Sequence, residues 1–137
     1  MPGFVLDSSV ALSWLLPDEP SGDSKTWLDR LVVEGGIVPN LWPPEVENAL
    51  LTAQRRQRIT REQRLKAIPA LADLPIETDP ETSERAWRET LQLADDHGLT
   101  LYDAAYLELA VRLDLPLATF DEQLKAAAQR LGLVPVK

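Results

Sequence analysis

The residues of this 137-residue chain best suited to chemistry are four carboxylates, Asp7, Glu45, Asp103 and Asp121. Each falls where an apolar strand or a turn passes into a helix-forming stretch: Asp7 after Phe4-Val5-Leu6, Glu45 after Pro43-Pro44, Asp103 three residues beyond Thr100, and Asp121 after Leu117 to Phe120. Hard oxygen donors without histidine or cysteine suit Mg²⁺ or Mn²⁺, which accept few protein carboxylates and complete their coordination with water and substrate phosphate. The chemistry such a set serves is phosphodiester hydrolysis, in which metal ions polarise the phosphoryl oxygen and lower the pKa of an attacking water. The hydroxyls of Ser9 and Thr119 are spaced to hydrogen-bond a ligand carboxylate or a water from outside.

Each acid alone also has an ordinary structural explanation. Asp7 and Asp121 can be helix N-caps, Asp103 the third-position acid after a Thr100 cap, and Glu45 a first-turn acid facing the helix dipole, each worth about 0.5 to 1 kcal/mol. Taken together they are harder to explain that way, because two strand-end acids and two helix-start acids can meet at one sheet edge. Carboxylates crowded to about 5 Å repel by roughly 3 kcal/mol per pair at an effective dielectric near 20, so a cation would have to offset them.

The elements that must position these acids are legible as alternating strands and helices. Phe4-Val5-Leu6 reads as a buried strand running into a helix over Val10 to Leu16, and the stretch 17–23 (PDEPSGD) reads as loop. Helical residues from Ser24 to Val33 end at Gly35-Gly36, and Ile37-Val38 forms a second short strand. Pro43-Pro44 opens a helix to about Gln57, and Thr60 with Gln63 forms a capping box for the next, in which Pro69 predicts a kink or break. Residues 75–78 read as a strand. Asp79-Pro80 then reads as the cap of one long helix through Trp87 and Ala94, ended by His97-Gly98. A helix from Leu101 or Tyr102 to Leu113, a strand 117–120, a helix from Asp121 to Leu131 and a last strand 133–136 complete the chain. Strands joined through helices require crossovers, so the expected fold is α/β: one domain with a short, mostly parallel sheet covered by helices. Ligands bind such sheets beyond the carboxyl ends of the strands, where Asp7 and Asp121 sit.

Composition narrows the function further. With no cysteine and one histidine, thiol nucleophiles, thiolate zinc sites and multi-histidine mechanisms are excluded, and His97 is explained by its place at a helix C-terminus. No glycine-rich phosphate loop is present, and Asp7-Ser8-Ser9 lacks the second aspartate an aspartyl-phosphate phosphatase needs. The four tryptophans, Trp14, Trp27, Trp42 and Trp87, are expected in core or subunit-interface packing. No apolar run reaches roughly 18 residues and no basic, signal-like N-terminus is seen, which predicts a soluble cytoplasmic protein outside the membrane. The net charge of −8 is unevenly spread: residues 55–66 hold six cations against one acid, a net +5, leaving −13 elsewhere. A solvated helix surface explains that stretch, as does contact of Arg55, Arg56 and Arg58 with RNA or a partner protein.

The ordered segments VLDSSVALSWLLPDE, VPNLWPPEVENAL and LTLYDAAYLELAVRLDLPLATFDEQL resemble the motifs of the PIN-domain nucleases, and within them the VapC-type toxins of bacterial toxin–antitoxin pairs. The likeness covers nearly the whole chain, and its last segment is the most specific. It implies a single PIN-like domain over residues 1–137 in which Asp7, Glu45, Asp103 and Asp121 are metal-binding and catalytic, with Ser9 and Thr119 beside them. Helical periodicity does not separate Glu45 from Glu47; the resemblance selects Glu45, because Val46 follows it and Asn48 stands three residues on. It further implies Mg²⁺-dependent endoribonuclease activity (Mn²⁺ as an alternative ion), a homodimer, and a small cognate antitoxin. Two other readings use the same residues: a non-catalytic module that binds RNA or protein, and a DNA- or flap-directed nuclease with the same metal chemistry.

Overall fold

The structure, a computed structural model, describes residues 1–17 and 22–133. Four parallel strands form the sheet: β1 (Phe4–Leu6), β2 (Gly36–Pro39), β3 (Ile76–Asp79) and β4 (Leu117–Ala118), in the spatial order β3-β2-β1-β4. Among the described residues eight helices connect and follow them: α1 (Ser8–Leu15), α2 (Ser24–Glu34), α3 (Trp42–Arg55), α4 (Arg61–Ala72), α5 (Thr82–Arg85), α6 (Glu89–His97), α7 (Leu101–Leu113) and α8 (Glu122–Arg130). The chain steps outward from β1 to β2 to β3, then returns past β1 to place β4 on its other side. That reversal makes the β1–β4 boundary the switch point of the sheet, the crevice where α/β folds bind ligands.

Residues of β1 and β2 are buried throughout, as expected of strands covered on both faces. Helix α7 lies across β1, β2 and β4, and its segment from Ala104 to Ala110 is buried without interruption, which places it at the centre of the molecule. The closest helix packing forms two groups, α1 with α2 and α3 together with α3 on α4, and α6 and α8 against α7. At the α2–β2 junction Gly35 adopts φ +74°, which favours glycine, while a Cβ on Gly36 would lie 2.8 Å from Leu31 Cδ1, so a larger residue there would have to displace the end of the Leu31 side chain.

Several expectations are revised. The predicted long helix from Pro80 to His97 is two: α5 starts at Thr82, and Arg88, at φ −131° and ψ −82°, separates it from α6. Asp79 is not a helix cap but the last residue of β3, its carboxylate taken by Thr82 and Arg112. Pro69 does not end α4, which continues to Ala72 behind the predicted Thr60–Gln63 capping box. The last strand pair is only two residues long on β4, because the amides of Phe120 and Asp121 bond to side-chain oxygens instead of a strand. Trp27 and Trp42 are buried in the core and Trp14 packs against it, whereas Trp87 is 84% exposed. The predicted strand over 133–136 and the centre of the loop at 17–23 lie outside the described residues, apart from the buried Leu133.

Candidate active site

Asp7 sits immediately after β1, and its N–H donates to Ala118 O at 3.0 Å, continuing the β1–β4 pairing by one residue. Though it stands at the N-cap position of α1, its side chain makes no cap hydrogen bond. Its Oδ2 instead accepts from Ser9 Oγ and from Thr119 Oγ1, both at 2.7 Å, and the residue is only 4% exposed. The simple capping explanation therefore fails for Asp7. The two hydroxyls also accept from the chain beyond β4: Phe120 N–H donates to Ser9 Oγ at 3.1 Å and Asp121 N–H to Thr119 Oγ1 at 3.0 Å. Ser9 and Thr119 thus tie the ends of the two strands flanking the switch point into one hydrogen-bonded unit.

Asp121 opens α8 and caps it, Oδ1 accepting from Leu124 N–H at 2.8 Å. Asp103 lies in the first turn of α7, where Thr100 Oγ1 accepts its N–H at 3.1 Å, so Thr100 is the cap and the Asp103 carboxylate is not consumed by capping α7. Glu45 is half-buried in the first turn of α3, and Glu47 is exposed. Of the two, only Glu45 reaches inward: its Oε1 accepts from the hydroxyl of Tyr106, a side chain with no solvent exposure on α7.

Electrostatics joins the four acids. Burial pushes the Asp7 carboxyl up, the charge of Asp103 adds to that, and the Ser9 and Thr119 hydroxyls only partly oppose it. Burial also raises Glu45, with Asp7 and Asp103 repelling its charged form. Asp103 is raised by burial and then by Asp121. Every acid is therefore coupled to at least one other, and among the described residues no lysine or arginine is an influence on Asp7, Glu45 or Asp103. Tyr106 is raised by burial and by the neighbouring charges of Asp7 and Glu45, so it remains a neutral donor.

Such unneutralised repulsion is the environment a cation relieves, and the donor set of hard oxygens matches Mg²⁺ or Mn²⁺. Among the described residues, however, no three Asp, Glu, His or Cys side chains converge closely enough to hold one ion between them. Mg²⁺ keeps several waters and needs only one or two direct carboxylates, so a loosely spaced group linked through water still fits it.

Tyr106 escaped the sequence reading, although its place three residues after Asp103 puts both on one side of α7. Also missed was a buried ion network at the far end of that helix. Arg112 donates to both oxygens of Asp79 at 2.7 and 3.1 Å and to both oxygens of Glu108 at 2.9 and 3.1 Å. His97 ends α6 as expected and accepts from Arg130. Arg55, Arg56 and Arg58 do not join the acids; they lie at the opposite end of α3 from Glu45 and in the turn that follows.

The profile of the PIN domain matches residues 4–130. Ribonuclease VapC1 of Mycobacterium tuberculosis is 40% identical over 92 residues, covering 65% of this chain and 65% of that relative, slightly under two thirds of its length. The crystal structure of VapC20 from Mycobacterium tuberculosis, described as a sarcin–ricin loop cleaving toxin, superposes with a TM-score of 0.66 at 18% identity, over 91% of this chain and 95% of that one. FitAcB from Neisseria gonorrhoeae gives 0.64 at 19% identity, over 92% and 93%. Those two likenesses concern the fold; the profile match spans nearly the whole chain and places Asp7, Glu45, Asp103 and Asp121 inside it. This chain is a member of the PIN-domain family.

Proposed function

We propose that the chain is a divalent-metal-dependent endoribonuclease and the toxin component of a toxin–antitoxin pair. One observation carries the reading: Asp7 is nearly buried, excused from capping, and held by two hydroxyls with other carboxylates rather than cations around it. A protein has little structural reason to maintain that arrangement, since burying a carboxylate without a counter-charge opposes folding. The 40% identity to a ribonuclease supplies the reaction class.

In this reading Asp7, Asp103 and Asp121 hold Mg²⁺, or Mn²⁺ in its place, with help from Glu45. A bound ion would polarise the scissile phosphoryl group and acidify the attacking water. Ser9 and Thr119 fix the rotamer of Asp7 and, through the Asp121 amide, the distance between the two strand ends. Tyr106 orients Glu45 by donating to one oxygen. A toxin of this kind pairs with a small cognate antitoxin, and the toxin description of a structural neighbour supports that partner. The exposed apolar side chains Trp87, Leu91 and Tyr102 support a homodimer.

A second reading, a folded module that only binds RNA or protein, is favoured by Asp121, whose side chain does cap α8. Wild type and Asp103→Asn, assayed on RNA and single-stranded DNA with Mg²⁺, Mn²⁺ or chelator, separate the readings. RNA cleavage is expected from wild type only with metal, and at least about 100-fold less from the variant, in line with the loss of a metal ligand or its support. Equal activity in both proteins would remove the mechanism, preference for DNA would change the substrate, and failure of calorimetry to detect Mn²⁺ binding would favour the binding module.

A further inference from the structure

The cations of this chain are unevenly occupied. Lys25, Arg30, Lys66, Arg85, Arg112 and Lys125 each face a carboxylate, and Arg64 Nε donates to Gln54 Oε1 at 2.5 Å. Arg55, Arg56 and Arg61 are different: all are exposed, and no ion pair or side-chain hydrogen bond joins them to another described residue. Arg88 alone shares that state among the described arginines and lysines, and it lies elsewhere in the chain. In a chain with 22 acids against 14 Lys and Arg, three unpaired arginines on one corner are a local excess that the acidic remainder does not neutralise.

Helix dipoles account for only part of this. Arg55 is the last residue of α3 and Arg56 its C-cap, where a cation gains about 0.3 to 1 kcal/mol. Arg61 is the first residue of α4, the end at which a cation is disfavoured. An external anion is favourable for all three at once. The bond from Arg64 to Gln54 ties α4 to α3, so the corner presents its charges from a braced support.

The corner shares α3 with Glu45. Arg56 follows Glu45 by eleven residues, about three helical turns, so it returns to the same side of the helix roughly 16 Å further on. A stacked strand at about 3.4 Å per nucleotide covers that distance in four to five nucleotides. Over the rest of the chain the formal charge of −13 repels a polyanion.

We propose that the α3–α4 corner, through Arg55, Arg56 and Arg61, is a phosphate anchor for the single-stranded RNA whose scissile bond lies at the acid cluster, gripping the strand about four to five nucleotides away. This rests on the RNA-cleavage reading above. An acidic protein segment would satisfy the same charges; a strand that also reaches the acids is favoured because Arg55 and Arg56 end the helix that Glu45 opens.

The test compares wild type with Arg55→Ser/Arg56→Ser/Arg61→Ser and with the corresponding triple lysine variant. Binding of an unstructured RNA of about twelve nucleotides is followed in chelator by fluorescence anisotropy across salt concentrations, and cleavage of a trinucleotide is measured with Mg²⁺. Three contacts at about 0.7 each predict that the serine variant lowers the log–log salt slope by about 2, a loss of about 100-fold in affinity near 0.1 M salt, whereas the lysine variant keeps the slope. Trinucleotide cleavage and thermal unfolding are expected to stay unchanged, because the three side chains are exposed. An unchanged slope overturns the anchor, as does a serine variant that loses polyglutamate binding while keeping RNA binding. If the serine variant lowers the slope but wild type cleaves no RNA, the corner binds RNA and both the nuclease reading and its role as an anchor for a scissile strand fail; if wild type cleaves RNA and the serine variant leaves the slope unchanged, the nuclease reading stands and the anchor fails.

Discussion

At the scale of single residues, the acids are distinguished by what their side chains do rather than by where they occur in the chain. Asp121 and Asp7 both precede a helix, yet one caps it and the other turns to two hydroxyls. Tyr106 is the residue whose role is best isolated by substitution, since Tyr106→Phe keeps the buried ring and removes only the hydroxyl that donates to Glu45. Loss of such a supporting bond typically weakens metal affinity by about 10- to 100-fold. We expect calorimetric Mn²⁺ binding to weaken by about tenfold or more in that variant, with unfolding still cooperative. Unaltered affinity would mean that Glu45 is oriented without Tyr106 or takes no part in holding the ion.

At the scale of elements, α7 is secured at both ends. Its first turn carries Asp103 and Tyr106, and near its last turn Arg112 bridges Asp79 of β3 and Glu108 of its own helix. Asp79 and Glu108 are each nearly buried, so Arg112→Ala would leave Asp79 without its cation and Glu108 with only Arg85, 4.0 Å away. Removing one partner from a buried pair costs about 3 to 5 kcal/mol, and a loss near the lower figure is expected in denaturant titration because Arg112 retains some solvent contact. The sign of the pH effect follows from Asp79: burial raises its carboxyl, but the hydrogen bonds from Arg112, Thr82 and the Glu81 backbone together with the Arg112 charge outweigh burial and hold it below the ordinary value. Stability from this contact is therefore fully present above the ordinary carboxylate pKa and is lost as pH falls through the lowered folded value. Wild type should lose more stability than Arg112→Ala between about pH 5 and pH 2; parallel curves would show that the network contributes nothing.

At the scale of the whole molecule, the surface carries the basic corner and several exposed large apolar side chains. Trp87, Tyr102 and Leu91 are 84%, 64% and 55% exposed. Under the proposed homodimer these side chains would lie at the interface, and stable interfaces cover about 800 Å² on each partner. We expect wild type to sediment as a dimer at tens of micromolar and Trp87→Ser/Leu91→Ser to sediment as a monomer of unchanged fold. A monomeric wild type would remove the homodimer. Because Tyr102 adjoins Asp103 in the chain, that same experiment should include RNA cleavage, which reports whether association supports the acids.

What the sequence determined by itself was whatever local physics decides. Apolar runs bounded by Asp, Gly and Pro marked β1, β2 and most helices, the Thr60–Gln63 box marked α4, and the alternation of strands with helices required a parallel sheet. Motif order singled out Asp7, Glu45, Asp103 and Asp121 and the hydroxyls of Ser9 and Thr119, whose bonds to Asp7 the folded chain contains. Only tertiary structure decided the rest, because the deciding contacts join residues far apart in the chain. The β4–β1 pairing brings Thr119 to Asp7 across 112 positions, and the fold brings Tyr106 of α7 to Glu45 of α3 across 61. Pattern reading gave Asp79 to a helix cap, since nothing nearby revealed that Arg112 would claim its carboxylate from 33 residues away. Whether an acid caps a helix or belongs to a site depends on which groups the fold delivers to it, and local propensity carries no record of them.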